Sequence, residues 1–561
     1  MEFPNVWGQG ALFVFSGLEG TTSYAHQMIG GLLGDDPGIR FHTHHSCDLF
    51  LDCTGLSDLS WEMVSSDLIT GVMKLNDRAF HISFVFAEAG VIVGRCPKGR
   101  LRLRFGCGKA YAENAVIDFP DEQYCLQIQT DGDADYFAFS MNTDFTFLPA
   151  DVLTYEQQRR SFYGQLPPVS FKDDGIERTF FKAVSVMKSQ VYAPEGQFKQ
   201  HWTTPDRFPH RALWLWDSIF HSFGNQYISV ELARDSILSV LDTQREDGFI
   251  AHMATPNSRS EVTQPPVIAW GVQKLYQKTN DRDFLRECYP KLEQYLLWNM
   301  QHRMTPDGLF YWHIDRSSVH CRCDESGMDN SPRFDGVAEM DCIDFSCYML
   351  HEAEMMVQIC AELQNGQESF WADVYAKLKK RISTLLWDDS DGLFYDRRPD
   401  TGELQKVKSV ASFLPLFAGA CTSSQAESLV QQLQNDQTFG TPFGIPSIAV
   451  DDPTYGTDMW RGPVWINFNY MIAEGLKRYD YRKEADELIR STVNEIARWY
   501  LTDGVFFEFY DDTMQRAPNT LFRKGPPVVP YCPAIRYQAI RDYGWTATLF
   551  AAMVLENQSL F

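Results

Sequence analysis

The chain has 561 residues, of which 44% are hydrophobic and 14% aromatic, and its formal net charge is −24. A chain of this length favours two or more folding units with ample apolar material for their cores. Because like charges repel, the acidic surface excludes phosphate backbones and anionic membranes, so we expect neither nucleic acid nor a membrane among its partners. No window holds the roughly eighteen unbroken apolar residues of a membrane helix.

The N-terminus, MEFPNVWGQGALFVFSG, lacks a basic segment followed by an apolar run, so we expect no standard export signal. The 13 cysteines are odd in number and scattered, which favours reduced thiols and a cytoplasmic protein. His320, Cys321 and Cys323 form the segment HCRCDE, which is a weak metal signal because no second ligand pair follows at zinc-finger spacing. We therefore predict no metal and no cofactor.

The first 150 or so residues predict β-strands, because short Val-, Ile-, Phe- and Tyr-rich segments are separated by Gly, Asp and Asn. These segments are ALFVFSG, HISFVFAEAGVIVG, RLRLRFG, AVIDF, YCLQIQT and YFAFSMN. Several of them alternate apolar and polar residues, which predicts an antiparallel β-sandwich domain over residues 1–152. A polar and then proline-rich stretch follows, and we expect a connecting helix and linker over residues 153–172.

From about residue 173 the apolar residues recur at helical intervals, and at least ten helices are visible in the remaining chain to residue 561. Asp-Gly pairs at 247–248, 307–308, 391–392 and 503–504 each precede an aromatic or aliphatic run. This recurrence favours a closed ring of helical hairpins with loops on one face, although four unrelated turns remain the alternative. We predict a mainly α protein whose helical domain spans residues 173–561.

Two acidic residues occur where a charge has no obvious structural purpose. Glu508 lies within VFFEFY, where a buried carboxylate is costly unless it lines a wet cavity. Asp329 lies in the polar loop ESGMDNSPRFD, between apolar and aromatic runs. A pair of carboxylates with aromatic walls suits glycosidic hydrolysis, in which one group protonates the leaving oxygen and the other attacks the sugar or activates water. The neighbouring tryptophans have an alternative role as core residues.

Four segments of the chain resemble glycoside hydrolase family 63, which includes processing α-glucosidases and mannosylglycerate hydrolases and is related to trehalases. The segments are WLWDS (214–218), TQPPVIAW (263–270), GMDNSPRFD (327–335) and WRGPVWINFNY (460–470). The resemblance covers about residues 175–550 and implies an (α/α)6 barrel and an inverting mechanism. It places the general acid at Asp329 and the general base at Glu508. Many members carry an ENY-like sequence at the base, whereas this chain has EFY.

The resemblance also implies a set of residues around the terminal sugar. These are Trp214, Trp216, Asp217, Gln264, Asn330, Arg333, Trp460, Arg461, Trp465 and Trp545. We expect Asp335 to bond to Arg333, and Glu508 to lie near an arginine or a hydroxyl network. Asp329 must be protonated to act as the acid, so we expect burial or a neighbouring carboxylate such as Asp335 or Glu325 to favour its protonated form. Inversion requires the two catalytic carboxyl groups to lie about 6.5–9.5 Å apart, with water between base and sugar.

The predicted function is an inverting exo-acting hydrolase of an α-linked glucoside, with a small carbohydrate as its substrate. One alternative is hydrolysis of mannosylglycerate or glucosylglycerate, whose carboxylate needs basic residues, for which Arg207, His210 and Arg211 are candidates. Trehalose is another alternative substrate. A catalytically inactive carbohydrate-binding protein is the alternative from a different class, and the presence of both Asp329 and Glu508 argues against it. Linkage, oligomeric state and the role of the N-terminal domain stay open.

Overall fold

The structure is a computed structural model that describes residues 3–25, 28–315, 318, 320–532 and 535–561. Its N-terminal part is built of strands that pair in antiparallel ladders. The strands are β1 (Leu12–Val14), β2 (Ile29–Leu32), β3 (Gly38–Phe41), β4 (Cys47–Leu51), β5 (Leu56–Val64), β6 (Leu68–Leu75), β7 (Arg78–Glu88), β8 (Val91–Pro97), β9 (Leu101–Phe105), β10 (Ala110–Tyr111), β11 (Ala115–Asp118), β12 (Gln123–Asp131) and β13 (Ala134–Ser140).

The strands form two sheets, with the orders β1-β2-β3-β4-β9-β10 and β11-β12-β13-β8-β7-β6-β5. The inner faces of the two sheets are in contact. The rings of Phe13 in β1 and Phe86 in β7 are 5.0 Å apart. Phe41 and Phe139 make a second contact between the sheets at 5.9 Å. Strand β9 shows why the sequence folds in this way, since its leucines and phenylalanine are buried and its two arginines point outward.

The rest of the chain is mostly helical. The helices are α1 (Pro149–Gly164), α2 (Asp174–Ser189), α3 (Leu215–Asn225), α4 (Val230–Leu241), α5 (Ile268–Thr279), α6 (Arg282–His302), α7 (Ile343–Leu363), α8 (Glu368–Leu385), α9 (Leu414–Ala418), α10 (Ser423–Gln434), α11 (Ile466–Arg478), α12 (Arg482–Asp503) and α13 (Gly544–Glu556). Short strands lie between them, namely β14 (Val191–Tyr192), β15 (Trp202–Thr203), β16 (Leu213–Trp214), β17 (Met253–Thr255), β18 (Ser258–Arg259), β19 (Trp387–Asp388), β20 (Leu393–Phe394), β21 (Asp396–Arg397) and β22 (Leu404–Gln405). Within the described residues, no helix has both the length and the apolar character to cross a membrane.

Helix contacts follow a circular order. Helices α3, α5, α7, α9, α11 and α13 contact one another in succession, and α13 contacts α3 again. Helix α13 is buried from Gly544 to Val554, as expected for a helix that is apolar on all sides. Helices α2, α4, α6, α8 and α12 contact members of this series from outside it. The N-terminal ends of α3, α11 and α13 carry the aromatic residues of the candidate site.

The four Asp-Gly turns follow helices α4, α6 and α8 and the end of α12, as their recurrence predicted. All four glycines have positive φ, between 64° and 96°, which side chains rarely adopt. The helical part and the sheets are joined by buried polar contacts. Asp542 accepts a hydrogen bond from the backbone N–H of Leu12 at 2.8 Å and from Lys182 at 2.7 Å. Asp542 therefore connects β1 of the N-terminal sheets to α2 and to the loop before α13.

Candidate active site

One cavity of about 810 Å³ lies at the N-terminal ends of α3, α11 and α13, and it collects most of the predicted site residues. Its lining comprises Tyr24, Ala25, Pro209, His210, Arg211, Ala212, Trp214, Trp216, Asp217, His252, Met253, Thr255, Asn257, Gln264, Cys321, Asp324, Gly327, Asp329, Met459, Trp460, Trp465, Glu508, Arg523, Lys524, Arg536, Tyr543 and Trp545. The volume lies within the range of small-ligand sites. Asp329 and Glu508, which are far apart in the chain, both line it.

Glu508 is 2% exposed and forms a two-point ion pair with a buried arginine. Arg523 Nε donates to Glu508 Oε2 at 2.6 Å, and Arg523 Nη2 donates to Oε1 at 3.1 Å. Burial disfavours the charged guanidinium, but the attraction of Glu508 outweighs it, so the pKa of Arg523 is raised above its ordinary value. This arginine is the cation that a carboxylate among aromatic residues requires.

Asp329 has a different neighbour from the one expected. Lys524 Nζ donates to Asp329 Oδ2 at 2.6 Å. The two carboxylates proposed as neighbours are engaged elsewhere, since Glu325 binds Arg303 at 2.6 Å and Asp335 forms ion pairs of its own. Consecutive residues, Arg523 and Lys524, thus each contact one of the two candidate catalytic carboxylates.

A third carboxyl group, Asp217, lies in the same cavity near the start of α3. Burial raises the pKa of Asp217 well above its ordinary value, and the charges of Asp206 and Glu508 raise it further. The hydroxyl group of Tyr543 lies 3.5 Å from Asp217 Oδ1. A neutral carboxyl group donates a hydrogen bond, so Asp217 and the ion-paired Glu508 are suited to different tasks.

Tryptophans form the walls of the cavity. Trp460 and Trp465 stack with their rings 3.8 Å apart and nearly parallel. Trp545 meets Trp465 at 5.7 Å and Trp216 at 5.4 Å, both edge to face. Among the described residues, the indole N–H groups of Trp214, Trp460 and Trp545 find no hydrogen-bond partner. Such a wall combines flat apolar faces with polar edges, which suits a sugar ring.

Gln264 lines the cavity, and its side chain contacts the backbone at the start of α3. Its Oε1 accepts a hydrogen bond from the backbone N–H of Trp216 at 3.1 Å, which joins the segment before α5 to the start of α3. In all, seven of the ten predicted sugar-binding residues line the cavity, namely Trp214, Trp216, Asp217, Gln264, Trp460, Trp465 and Trp545.

The other three predicted sugar-binding residues do not line the cavity. Arg333 is fully buried and binds Asp344 at 2.7 Å and Asp396 at 2.6 Å, so its charge neutralises core carboxylates. Asn330 Oδ1 accepts a hydrogen bond from the backbone N–H of Trp460 at 3.0 Å and so supports the wall from behind. The remaining residue, Arg461, pairs with Asp335 at 2.7 Å.

Two further predictions about charged residues are wrong. Asp335 does not bond to Arg333, because Asp344 and Asp396 take that guanidinium; Asp335 binds Arg322 at 2.8 Å in addition to Arg461. Arg207, a candidate for a substrate carboxylate, is 2% exposed and does not line the cavity; it donates to the backbone oxygens of Ser189 and Val191. His210 and Arg211, the other two candidates, do line the cavity.

Sequence reasoning missed several cavity residues, above all Arg523, Lys524, His252 and Tyr24. Arg523 had a signal, since a buried Glu508 demands a cation, but the spacing did not identify which one. Burial lowers the pKa of His252, while Asp324 and Asp329 oppose this effect. Its Nδ1 lies 2.6 Å from Ser260 Oγ, which fixes the ring at the cavity wall.

The three candidate metal ligands of the HCRCDE segment lie in different environments. Cys321 lines the cavity, where burial and the neighbouring Asp329 raise the pKa of its thiol to about 12. Cys323 is buried, with its Sγ 3.6 Å from the backbone oxygen of His313, whereas His320 is exposed.

Within the described residues, two groups of side chains have the spacing of metal ligands, but neither includes a residue that lines the cavity. The first group is His44, His45 and Asp121 on the N-terminal sheets. The second is Cys342, Asp344 and Asp396, in which Arg333 already neutralises both carboxylates.

Comparisons with known proteins identify the family of the chain. Residues 209–546, more than half of the chain, match the family described as mannosylglycerate hydrolase MGH1-like glycoside hydrolase domain. Mannosylglycerate hydrolase MGH1 of Selaginella moellendorffii is 25% identical over 60% of this chain and 82% of its own length. Alpha-glucosidase 2 of Arabidopsis thaliana is 23% identical over 58% of this chain and 53% of its own length.

Among solved structures, the family 63 mannosylglycerate hydrolase of Thermus thermophilus in complex with glucose superimposes with a TM-score of 0.54. It is 25% identical and covers 66% of this chain and 98% of its own. The resemblance drawn from the sequence motifs is thus confirmed: the chain belongs to the MGH1-like glycoside hydrolases of family 63.

Proposed function

We propose that the protein is an inverting exo-glycoside hydrolase that removes an α-linked glucose residue from a small oligosaccharide or glucoside. One observation carries the proposal. Asp329 and Glu508 come from distant loops and line the same tryptophan-walled cavity, each in contact with its own cation. Two carboxyl groups beside a sugar-sized space are the requirement of this reaction.

In the proposed mechanism, Glu508 is the general base. Arg523 holds both of its oxygens in place, and in this role Glu508 accepts a proton from the attacking water. Asp329 is the general acid and protonates the glycosidic oxygen as the bond to the anomeric carbon breaks. The ammonium group of Lys524 occupies one oxygen of Asp329, so it has to release that oxygen when the substrate binds. The raised pKa of Asp217 favours its protonated form, which can donate a hydrogen bond to a sugar hydroxyl.

We further propose that the ring of contacts through α3, α5, α7, α9, α11 and α13 is an (α/α)6 barrel and that the two sheets form a β-sandwich. The circular order of helix contacts and the aromatic contacts between the sheets support this description. The proposed boundaries are residues 1–152 for the sandwich, 153–172 for the linker and 173–561 for the barrel.

The cysteines support a proposed cytoplasmic location. All thirteen are free thiols, among them the exposed Cys107. A reducing compartment keeps thiols in this state.

A second substrate class is favoured by the cations of the cavity. Arg211, Lys524 and Arg536 line it, and a substrate with a carboxylate in its leaving group would be attracted to them. The names of the mannosylglycerate hydrolase relatives point in the same direction. Mannosylglycerate and glucosylglycerate are therefore the second candidate substrates.

The roles of the two carboxyl groups are tested with two leaving groups. Asp329→Asn should lose several orders of magnitude in kcat on an α-glucoside but retain most activity on α-glucosyl fluoride, because fluoride departs without a proton. Glu508→Gln should lose activity on both substrates. Asp400→Asn and Glu403→Gln, which change exposed carboxylates outside the cavity, serve as matched controls and should behave like the wild type.

Two results would contradict the assignment. Near-normal glucoside hydrolysis by either cavity variant would remove that residue from the chemistry, and equal losses of Asp329→Asn on both substrates would reject its role as acid. A panel of α-linked disaccharides, trehalose and glyceric acid glycosides then identifies the preferred leaving group. A wild-type protein that binds these sugars without turnover would be the inactive binding protein.

A further inference from the structure

Two residues of the cavity come from outside the part of the chain that matches the family. Among the described residues, every other lining residue lies between positions 209 and 545, inside the matched segment 209–546. Tyr24 and Ala25 lie instead in the connection between β1 and β2 of the N-terminal sheets. The mannosylglycerate hydrolase structure covers 66% of this chain but 98% of its own, so about a third of this chain has no counterpart in that enzyme.

Contacts from the helical part hold Tyr24 at the cavity wall. Its backbone N–H donates to Glu195 Oε2 at 2.7 Å, and its backbone oxygen accepts a hydrogen bond from Arg211 Nη2. The Arg211 guanidinium also lies over the Tyr24 ring, 5.1 Å from its centre. On another side the ring approaches Trp202 at 6.3 Å. The position of the aromatic ring is therefore determined by several independent contacts.

The segment before Tyr24 is anchored at several of its described residues, between positions 17 and 22. Gly17 N–H donates to the backbone oxygen of Val191 at 2.8 Å, and Thr22 Oγ1 accepts from the N–H of Ala193 at 2.8 Å. A Cβ atom at Gly17 would lie 2.3 Å from the nitrogen of Ala193, which leaves no room for a side chain. Between Gly17 and Thr22, Glu19 binds the fully buried Lys188 at 2.6 Å. The connection thus reaches the cavity in a fixed position, as a binding surface requires.

We propose that Tyr24 and Arg211 form the wall of a leaving-group subsite that binds a second sugar ring, so that the N-terminal sheets determine which leaving groups the enzyme accepts. This inference rests on the proposed glycosidase function and specifies its substrate as a disaccharide or longer oligosaccharide. Tyr24 acts by binding and takes no part in bond cleavage.

The chemistry of this wall suits a pyranose ring better than a short acid. The part of the Tyr24 ring that lines the cavity offers apolar contact to the C–H groups of a sugar, and the Arg211 guanidinium beside it offers N–H donors to its hydroxyl groups. A glycerate group has no ring to lie on the tyrosine and would use only the cation. Both side chains are partly exposed at the cavity, so a ligand reaches them without a rearrangement of the fold.

The test compares two substrates that share the same glucose but differ in the leaving group, namely an α-linked glucosyl disaccharide and methyl α-glucoside. In Tyr24→Ala, the ratio of kcat/KM values for disaccharide over methyl glucoside should fall about tenfold or more, mainly through KM. Tyr24→Phe keeps the ring and should keep the ratio. Tyr111→Ala, which changes a half-buried tyrosine on β10 outside the cavity, is the control and should leave both rates unaffected. An unchanged ratio in Tyr24→Ala would overturn the inference.

A binding arm separates this inference from the proposed mechanism. Calorimetry in the Glu508→Gln background measures the affinity for the disaccharide and for glucose without requiring turnover. Adding Tyr24→Ala should weaken disaccharide binding about tenfold more than glucose binding. Equal weakening of both would reject the subsite even if catalysis proceeds as proposed. A larger loss for a glyceric acid glycoside than for the disaccharide would instead identify an acidic leaving group and also overturn the inference.

Discussion

Replacing Arg523 by methionine tests the link between the ion pair and the chemistry. The substitution keeps much of the side-chain volume but leaves Glu508, which is 2% exposed, without its cation. At an effective dielectric constant of about 20, two charges about 4 Å apart attract by about 4 kcal/mol. This corresponds to about three pH units at 1.36 kcal/mol per unit, the upper end of the one to three units that a neighbouring charge causes.

Because a general base must be ionised, the acidic limb of the kcat/KM profile of Arg523→Met should move to higher pH by about one to three units. The assay is the pH dependence of glucoside hydrolysis, measured below the unfolding temperature, since losing one partner of a buried pair costs about 3–5 kcal/mol of stability. Arg498→Met is the matched control, because Arg498 pairs with Glu495 on α12, outside the cavity. A folded Arg523→Met enzyme with an unmoved acidic limb would refute the reasoning.

Two further predictions concern buried charges away from the chemistry. Burial raises the pKa of Glu352 from 4.5 to about 7, against the opposing hydrogen bonds from the first N–H groups of α5. The folded state then binds this proton more tightly than the unfolded state, so the free energy of unfolding falls by up to about 3 kcal/mol between pH 4.5 and 7. In Glu352→Gln the melting temperature should change less with pH over that interval. A slope identical to that of the wild type would contradict the linkage. Arg333→Met leaves Asp344 and Asp396 without this cation and should lower the free energy of unfolding by about 3–5 kcal/mol in calorimetry. The control Arg490→Met changes an exposed residue and should alter it by less than about 0.5 kcal/mol. Similar melting of the two variants would count against the buried-pair argument.

Features that depend on neighbours in sequence were predictable. RLRLRFG alternates apolar and charged residues, and the structure places β9 (Leu101–Phe105) there with the apolar side buried. CIDFSCYMLHEAEMMVQICAEL has helical spacing, and α7 (Ile343–Leu363) occupies it. Both patterns record which side of an element meets the core, and that information lies within a few residues.

Features that depend on the choice of a distant partner were not predictable. Arg333 lies near Asp335 in the chain, yet its fixed guanidinium plane faces Asp344 and Asp396 once the loop is folded. Arg523 and Lys524 stand in FRKGPPVVPYCP, which has neither helical nor strand periodicity, so the sequence gives no direction for their side chains. A buried carboxylate predicts that a cation exists without saying where it comes from.

The same limit applies to the N-terminal contribution. Residues of TTSYAH, a short polar segment, reach the cavity only because β1 and the buried salt bridges place the β1–β2 connection beside Val191 and Ala193. The local sequence pattern of this segment predicts only an ordinary surface loop. Its position near the cavity follows from the packing of the sheets against α2, which no periodicity records.

The most direct measurement of the central claim is the configuration of the sugar at the instant of release. Proton NMR of an α-linked glucoside mixed with the enzyme should show the β-anomer first, with the α-anomer growing only as the free sugar equilibrates. Initial release of the α-anomer would mean that water does not attack from the side opposite the leaving group, and the pairing of Glu508 as base with Asp329 as acid would be wrong.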